Sequence, residues 1–391
     1  MLLLLALVAA GLVLSAGGGR APRRVASPGS KAPRAAKPIG VRRLDPDWDG
    51  DGRPVTMVFG GDVNFPDGSV LGDRLADDAS TALGPGASAL LAGANLSMVN
   101  LETALTDGTC PSPQPKQYVF YAPSSAITAL QGADVTLVTE ANNHGEDCGE
   151  PGLQMSISAR DSAPYPIIGI GQNATEAYTP YEATIDGQHI VIIAATQVID
   201  ADLQTDWTAT EAQAGLASAY DVDDLVQAVE AARQEADTVV VFVHWGIELQ
   251  DHPDPKQEPL AEVLVKAGAD IVVGSHAHVL LGGGYLGSAY VDYGLGNFAF
   301  YNDPSPTDVS GTLVITATGR HIDDVTWRPA LIEDELPVPL TGDEATQAVA
   351  AWNNLRGLTD LSADPGAPIA SPSTESQPPP AAVAQQLSLD S

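Results

Sequence analysis

Basic residues are scarce in this chain. Its 391 residues carry 18 Lys and Arg against 50 Asp and Glu, a formal net charge of −32. Such a chain has no basic surface to neutralise phosphates, which excludes nucleic acid as a partner. Broad electrostatic attraction of a polyanion is disfavoured too, although a local site can still take a carboxylate or a phosphate. Cysteine is nearly absent. Cys110 and Cys148 allow at most one disulfide, a usage that fits an exported protein. Aromatics are few, at 5%, while 38 Gly and 30 Pro indicate many turns and irregular ends. No internal repeat is present. The length suffices for one large domain or two ordinary ones.

Residues 1–16, MLLLLALVAAGLVLSA, form an apolar run. It is short for a spanning helix and right for a signal-peptide core or a membrane anchor. No cysteine follows it, so a lipoprotein cleavage site is missing. No Lys or Arg precedes it and many follow, which taken literally would leave the body in the cytoplasm. The export reading therefore expects a basic segment upstream of Met1. Membrane contact is expected through this segment alone, with the body on the extracellular face of the cell envelope, secreted or anchored. Residues 17–53, rich in Gly, Pro, Ala and Arg, read as a flexible linker. Within it Asp45, Asp47, Asp49 and Gly50 resemble the start of a calcium loop, but the twelfth position is Thr56 where a bidentate Glu is wanted. A solvated turn is the simpler reading.

Residues 54–330 alternate apolar runs with helical stretches near 69–83, 123–131, 150–162, 222–235 and 256–267. YEATIDGQHIVIIAAT (181–196) has a central Asp-Gly and predicts a hairpin with a type I′ turn. GTLVITATGRHIDDVTWRP (311–329) predicts a second one. Parallel units followed by late hairpins suit an α/β two-sheet sandwich flanked by helices. Residues 331–391 are expected to hold a short helix (343–357) and a disordered Pro/Ser-rich tail.

Five apolar runs end in residues of metal-ligand type: VTMVFGGDVN (55–64), SMVNLE (97–102), VTLVTEANNH (135–144), VVVFVHWG (239–246) and IVVGSHAH (271–278). A β-branched run of this kind reads as a parallel strand buried on both faces, and an α/β sheet presents its ligands at the C-terminal ends of such strands. Convergence of the five ends would gather Asp62, Glu102, Asn143, His144, His244, His276 and His278. Mixed oxygen and imidazole donors suit one or two divalent ions, Mn, Zn, Fe or Mg. Asp62 is placed after a strand 55–60, with Gly60 and Gly61 letting the backbone turn. His276 and His278 alternate beyond strand 269–274, so that a period of two puts both on one face. Trp245 and Glu248 are expected to frame a pocket. Asn297, in GLGNF (294–298), either meets substrate or supports its loop. His189, His252 and His321 read as ordinary surface histidines.

The order GGDVN, NLETALTDG, ANNHGEDCGEPGL, HWGIELQ, GADIVVGSHAHV, YGLGNF resembles the CapA family of capsule (poly-γ-glutamate) synthesis proteins. That family is similar to the calcineurin-like metallophosphoesterases. The resemblance covers about 54–330 and implies a four-layer α/β/β/α sandwich. It implies Asp62, Glu102, Asn143, His244, His276 and His278 as metal ligands, with Glu102 bridging where related phosphoesterases use Asp. It makes His144 the residue that faces substrate as an acid, with Asp147 positioned to hold its imidazole. Asn64 stands where metallophosphoesterases commonly carry His, which weakens the first metal subsite; it is taken as substrate-facing. Cys148 stands where the family often has Tyr. If the strands before Cys110 and Cys148 end at one centre, the two thiols become neighbours and a disulfide closes about 38 residues.

Two functional readings stand side by side. One is a metal-dependent hydrolase of a phosphoester or of a glutamyl amide. The other is a non-enzymatic subunit that binds or exports an anionic polymer within a membrane polyglutamate synthase.

Overall fold

A computed structural model describes residues 53–220, 222–301 and 306–366. The readings for 1–16, for the linker up to residue 52 with its calcium-loop likeness, and for 367–391 lie outside the described residues.

Two sheets face each other. The first orders its strands Leu336–Pro339, His321–Glu333, Val309–Thr318, Val55–Val63, Leu96–Leu101, Leu137–Thr139 and Ile167–Ile168, with Asn297–Ala299 also paired to Val55–Val63. The second orders Gly283–Leu286, Ala289–Asp292, Ile271–Ser275, Thr238–His244, Gln188–Thr196 and Tyr181–Ile185. The strands that carry the ligand-type ends run parallel to one another within each sheet, although Val55–Val63 is also paired antiparallel to Val309–Thr318. Their Val, Ile and Phe residues are buried on both faces, as their uninterrupted apolar sequences require.

Three apolar layers separate the four tiers. Met57, Phe59 and Met98 of the first sheet meet Ile192, Val240 and Phe242 of the second. On the outer face of the first sheet, Val58 and Val99 pack with Leu71, Leu90 and Leu130 of helices Val70–Asp78, Gly84–Leu91 and Ala126–Gly132. On the outer face of the second, Val241 and Val272 pack with Leu225, Val229 and Leu264 of helices Val222–Glu235 and Gln257–Ala267. The result is the helix–sheet–sheet–helix sandwich that the sequence implied.

Both hairpins form. Asp186 and Gly187 take φ of 50° and 91°, the left-handed pair a type I′ turn needs. The second turns through Gly319 and Arg320. Three short helices escaped the sequence reading: Gly84–Leu91, Ala174–Ala177 and Gln204–Trp207. The boundary expected at 330 is also absent. Leu336–Pro339 adds an edge strand to the first sheet, and helix Gly342–Leu355 stacks Trp352 on Trp327 with ring centroids 5.5 Å apart. Ser362 then exchanges backbone hydrogen bonds with Tyr285. The described chain beyond 330 is therefore part of the sandwich, because burial of one indole face ties it down. Among the described residues, no helix is long and apolar enough to cross a membrane.

Candidate metal centre

Asp62 lies inside strand Val55–Val63, not after it. Gly60 and Gly61 serve close approach, not a turn. A Cβ on Gly61 would sit 1.8 Å from the carbonyl oxygen of Gly296, and the Asp62 N–H donates to that oxygen at 3.1 Å. The approach brings the GLGNF loop alongside the strand, with Asn297 in register with Asp62. Asp62 Oδ1 accepts from Asn100 Nδ2 at 2.8 Å, and Oδ2 accepts from the His276 N–H at 3.2 Å.

Glu102 follows strand Leu96–Leu101, its N–H bonded to the Val63 carbonyl. The carboxylate is fully buried and neither oxygen has a hydrogen-bond partner. Around Oε1 stand Nε2 of His244 at 3.6 Å, and Nε2 of His144 and of His278, each at 3.9 Å. Burial, and next the Asp62 charge, push the carboxyl well above its usual range.

His244 closes strand Thr238–His244. Its Nδ1 meets Ser275 Oγ at 2.9 Å and its Nε2 meets Asn143 Oδ1 at 2.7 Å. Burial, then the neighbouring imidazoles, hold His244 and His276 well below the ordinary histidine range. For His278 burial pulls the same way, but Glu102, Asp62 and the Asn297 side chain outweigh it and lift the imidazole to about 10. Asn297 Oδ1 lies 2.9 Å from His278 Nδ1, which makes Asn297 the residue that orients this ring.

The period-two argument for the last two histidines does not hold. The strand stops at Ser275, and His276 and His278 take φ of 95° and 58°. Left-handed backbone at two non-glycine residues is strained, and such strain collects at functional sites. It turns both rings to one centre where a strand would not.

The donors fit a divalent ion. Glu102, His244 and His276 bring three ligand atoms within 4.8 Å of one another; Asp62, Glu102 and His278 do the same. Glu102 belongs to both sets, and its carboxylate has no hydrogen-bond partner. Asn143 adds its amide oxygen next to His244. A cation would favour the ionised Glu102 that burial resists, and the neutral imidazoles of His244 and His276 that burial already favours are the form that could hold it.

His144 stands beside this centre. Its N–H donates to Asn142 Oδ1, and its Nδ1 lies 2.5 Å from Asp147 Oδ2, the contact expected of Asp147. Burial pushes its imidazole down to about 4, against the pull of Asp147. The ring packs on Phe120 at 4.0 Å between centroids. His144, Asn143 and Lys116 line a cavity of about 480 Å³, rimmed by Asp200, Asp202 and Glu248.

Of the residues expected to face substrate, Glu248 does line this cavity. Trp245 does not. It is fully buried in the second sheet's outer core and donates its indole N–H to the Tyr293 carbonyl, because position 245 follows the strand inward. Asn64 is also fully buried, with both amide atoms unpartnered, and is absent from the cavity lining. His189, His252 and His321 stand away from the centre, each near its own acidic neighbour.

Four supporting residues were missed. Asn100 bridges Asp62, His244 and Asn142, and its position two before Glu102 was a usable signal. Asn142 and Ser275 sat inside the quoted motifs. Lys116 gave no local signal; it lies in an irregular Pro-rich loop. Its ammonium donates to Asp147 Oδ1 at 2.7 Å and to the Asn143 carbonyl. Cys110 and Cys148 are joined, with Cα atoms 5.0 Å apart, and tie this loop to the start of helix Gly149–Ser162.

Comparison with known proteins agrees with the motifs. The chain is 32% identical over 226 residues to the capsule biosynthesis protein CapA of Bacillus anthracis, covering 56% of this chain and 53% of that protein. It is 29% identical over 227 residues to the PGA biosynthesis protein CapA of Bacillus subtilis (strain 168), covering 57% of each. The matched stretch thus spans a little over half the length of these relatives. Among solved structures, the chain is similar to a putative 5′-nucleotidase from Staphylococcus aureus, with a TM-score of 0.46, 12% identity, and coverage of 77% of this chain and 58% of that one. Residues 56–302, which hold every ligand placed at the centre, match one family throughout, and the chain accordingly belongs to the bacterial capsule synthesis protein PGA_cap family.

Proposed function

We propose that this protein is a metal-dependent hydrolase of capsule synthesis, acting on a phosphoester or an acyl bond at the outer face of the cell envelope. The observation that carries the reading is Glu102: a buried carboxylate, unpartnered, shared by two sets of ligand atoms. A stability role would leave such a group costly and unexplained. Imidazole-rich donor sets suit Mn, Zn or Fe better than Mg. When bound, such ions polarise a substrate oxygen and lower the pKa of water.

The chain's own residues supply the rest. Asn100, Ser275 and Asn297 orient the ligands. Asp147 and Phe120 hold the His144 ring beside the cavity it lines, with Nε2 3.9 Å from Glu102 Oε1, where it can hydrogen-bond or protonate a departing oxygen or nitrogen. Rim carboxylates Asp200, Asp202 and Glu248 disfavour a run of glutamate side chains in the cavity. A substrate of the relatives' pathway would therefore meet the site by its reacting group alone. The disulfide needs an oxidising compartment, which supports the extracellular face and a place beside a membrane polyglutamate synthase.

The test is direct. Purified protein is analysed for bound metal, then assayed with Mn or Zn on p-nitrophenyl phosphoesters and on polyglutamate, beside the His276→Ala/His278→Ala double variant. Turnover that needs metal and vanishes in the double variant supports the reading. Stoichiometric metal in that folded variant removes the ligand assignment. Metal binding by the wild type with no turnover of either substrate replaces the hydrolase with a non-enzymatic subunit.

A further inference from the structure

We propose that the groove beside this centre, walled by Tyr118, Tyr121 and Tyr301, is a subsite for the ring of a neutral hexopyranoside. Its part in turnover rests on the hydrolase reading above; binding of the ring does not.

Aromatics make up only 5% of this chain, yet Tyr118, Phe120, Tyr121, Phe300 and Tyr301 gather at this one place. Phe120 packs on the His144 ring at 4.0 Å between centroids, and meets Phe300 and Tyr301 edge-on at 5.9 and 5.6 Å. Phe300 in turn lies 4.9 Å from the His278 ring and stacks on Tyr301 at 5.2 Å. The rings of the centre thus continue outward as one aromatic wall. Its outer end is Tyr118, 6.2 Å from Phe120. Phe120 and Phe300 are buried by their neighbours. Tyr118 is 52% exposed, the most exposed aromatic ring among the described residues.

The wall borders a groove of about 690 Å³, within the range of small-molecule sites. Gln117 and Tyr118 line both this groove and the cavity that holds His144, so a ligand in one adjoins a reacting group in the other. The groove is held in shape before any ligand arrives, which lowers the cost of binding. Phe120 donates its N–H to Asp147 Oδ2 at 2.6 Å, and its carbonyl accepts from the Ala104 N–H at 3.1 Å. Glu335 Oε2 accepts from the Leu71 N–H at 2.7 Å, which fixes that carboxylate at the groove edge.

The lining selects the ligand. No Lys or Arg lines the groove, while Asp67 and Glu335 do, which disfavours a phosphate or a glutamyl carboxylate there. One face of a pyranose carries C–H groups whose slight positive charge suits the negative face of an aromatic ring. Its hydroxyls stand at the ring edge. Each can donate to a carboxylate or exchange hydrogen bonds with Gln117 or a tyrosine hydroxyl. A nucleobase would stack too, but its few edge donors would leave most of these acceptors unanswered.

The test uses the full-length protein, metal-free and Mn-loaded. Saturation-transfer-difference NMR reads binding of methyl β-glucopyranoside and N-acetylglucosamine, with adenosine beside them. The variants are Tyr118→Ala, Tyr118→Leu, which keeps apolar bulk without a π face, and Tyr118→Phe. Wild type should transfer saturation to the ring C–H protons of both sugars, with metal or without. The Ala and Leu variants should bind about three- to tenfold more weakly, the scale of one aromatic contact, and Tyr118→Phe should bind as wild type does. No transfer to either sugar overturns the proposal, as does equal binding by wild type and either the Ala or the Leu variant. Tyr118-dependent binding of adenosine in preference to the sugars overturns it too, and makes the groove a base subsite. On the same samples kcat/KM is compared for glucose 1-phosphate and glycerol phosphate. A three- to tenfold loss in Tyr118→Ala with the sugar ester alone supports a ring held beside the reacting bond, and an equal loss on both esters overturns that placement. Tyr118-dependent sugar binding with no turnover of either ester sinks the hydrolase reading alone.

Discussion

Oε1 of Glu102 lies 3.6 Å from Nε2 of His244, too far for a hydrogen bond and close enough for one cation to touch both. The same oxygen lies 3.9 Å from Nε2 of His278. An orphaned acid between two imidazoles makes the ion-free centre costly, and that cost yields a measurement.

Glu102→Gln should fold at least as well as wild type without metal, since it removes a buried acid that has no partner. It should also lose most of the stabilisation that metal confers. A ligand at a hundred times its Kd adds about 2.7 kcal/mol. Thermal unfolding with and without Mn or Zn reads both effects. A wild-type melting temperature that ignores metal, or a Gln variant that responds like wild type, contradicts a bridging role.

His144→Ala should keep its metal, because the ring stands beside the ligand sets without belonging to either. Turnover should fall by about 10²–10⁴, the usual scale for a proton donor. Parallel loss of metal and rate would make His144 a ligand.

The Cys110→Ser/Cys148→Ser variant should lose on the order of 3–4 kcal/mol, the entropic scale for a closed loop of this length. Chemical denaturation measures it. The native protein should show no reactive thiol until a reductant is added. Two freely labelled thiols would remove the staple and, with it, the support for an oxidising compartment.

Asp292 supplies a pH test away from the centre. Burial pushes its carboxyl up to about 8, against the hydrogen bond it accepts from the Gly294 N–H. A raised folded pKa means the native state binds the proton more tightly. The stabilisation is complete below the unfolded carboxyl range near 4 and is lost as pH rises through about 8. Wild type should therefore lose stability between about pH 4 and 8 relative to Asp292→Asn, with a constant difference above that window. Parallel stability curves for the two proteins would show that Asp292 ionises at no cost.

The convergence of Asp62, Glu102, His244, His276 and His278 was legible because each lies at or near the end of an apolar run, the last two on the same one. Run and ligand are a local pattern, and a parallel strand buried on both faces needs no long-range information to be read. The Asp-Gly hairpin was equally local. Reading failed where a side chain's direction depends on backbone brought from elsewhere. Gly61 looked like a turn and is a contact with Gly296, a residue from the far end of the domain. Trp245 looked like a pocket wall and faces the core.

The sequence by itself determined the layers, the order of the ligand-bearing strands and the types of donor that meet, since these follow from residue periodicity and chemistry along the chain. Tertiary structure decided which donors share an ion, where Lys116 goes and how His276 and His278 turn. Glu102 becomes a shared ligand only when two sheets converge on it. Lys116 reaches Asp147 only when a loop folds across 31 residues and the disulfide pins it. The left-handed backbone at His276 and His278 persists only because the surrounding packing and the bond from the His276 N–H to Asp62 outweigh its local strain. No residue's own preference encodes a conformation that only its neighbours make favourable.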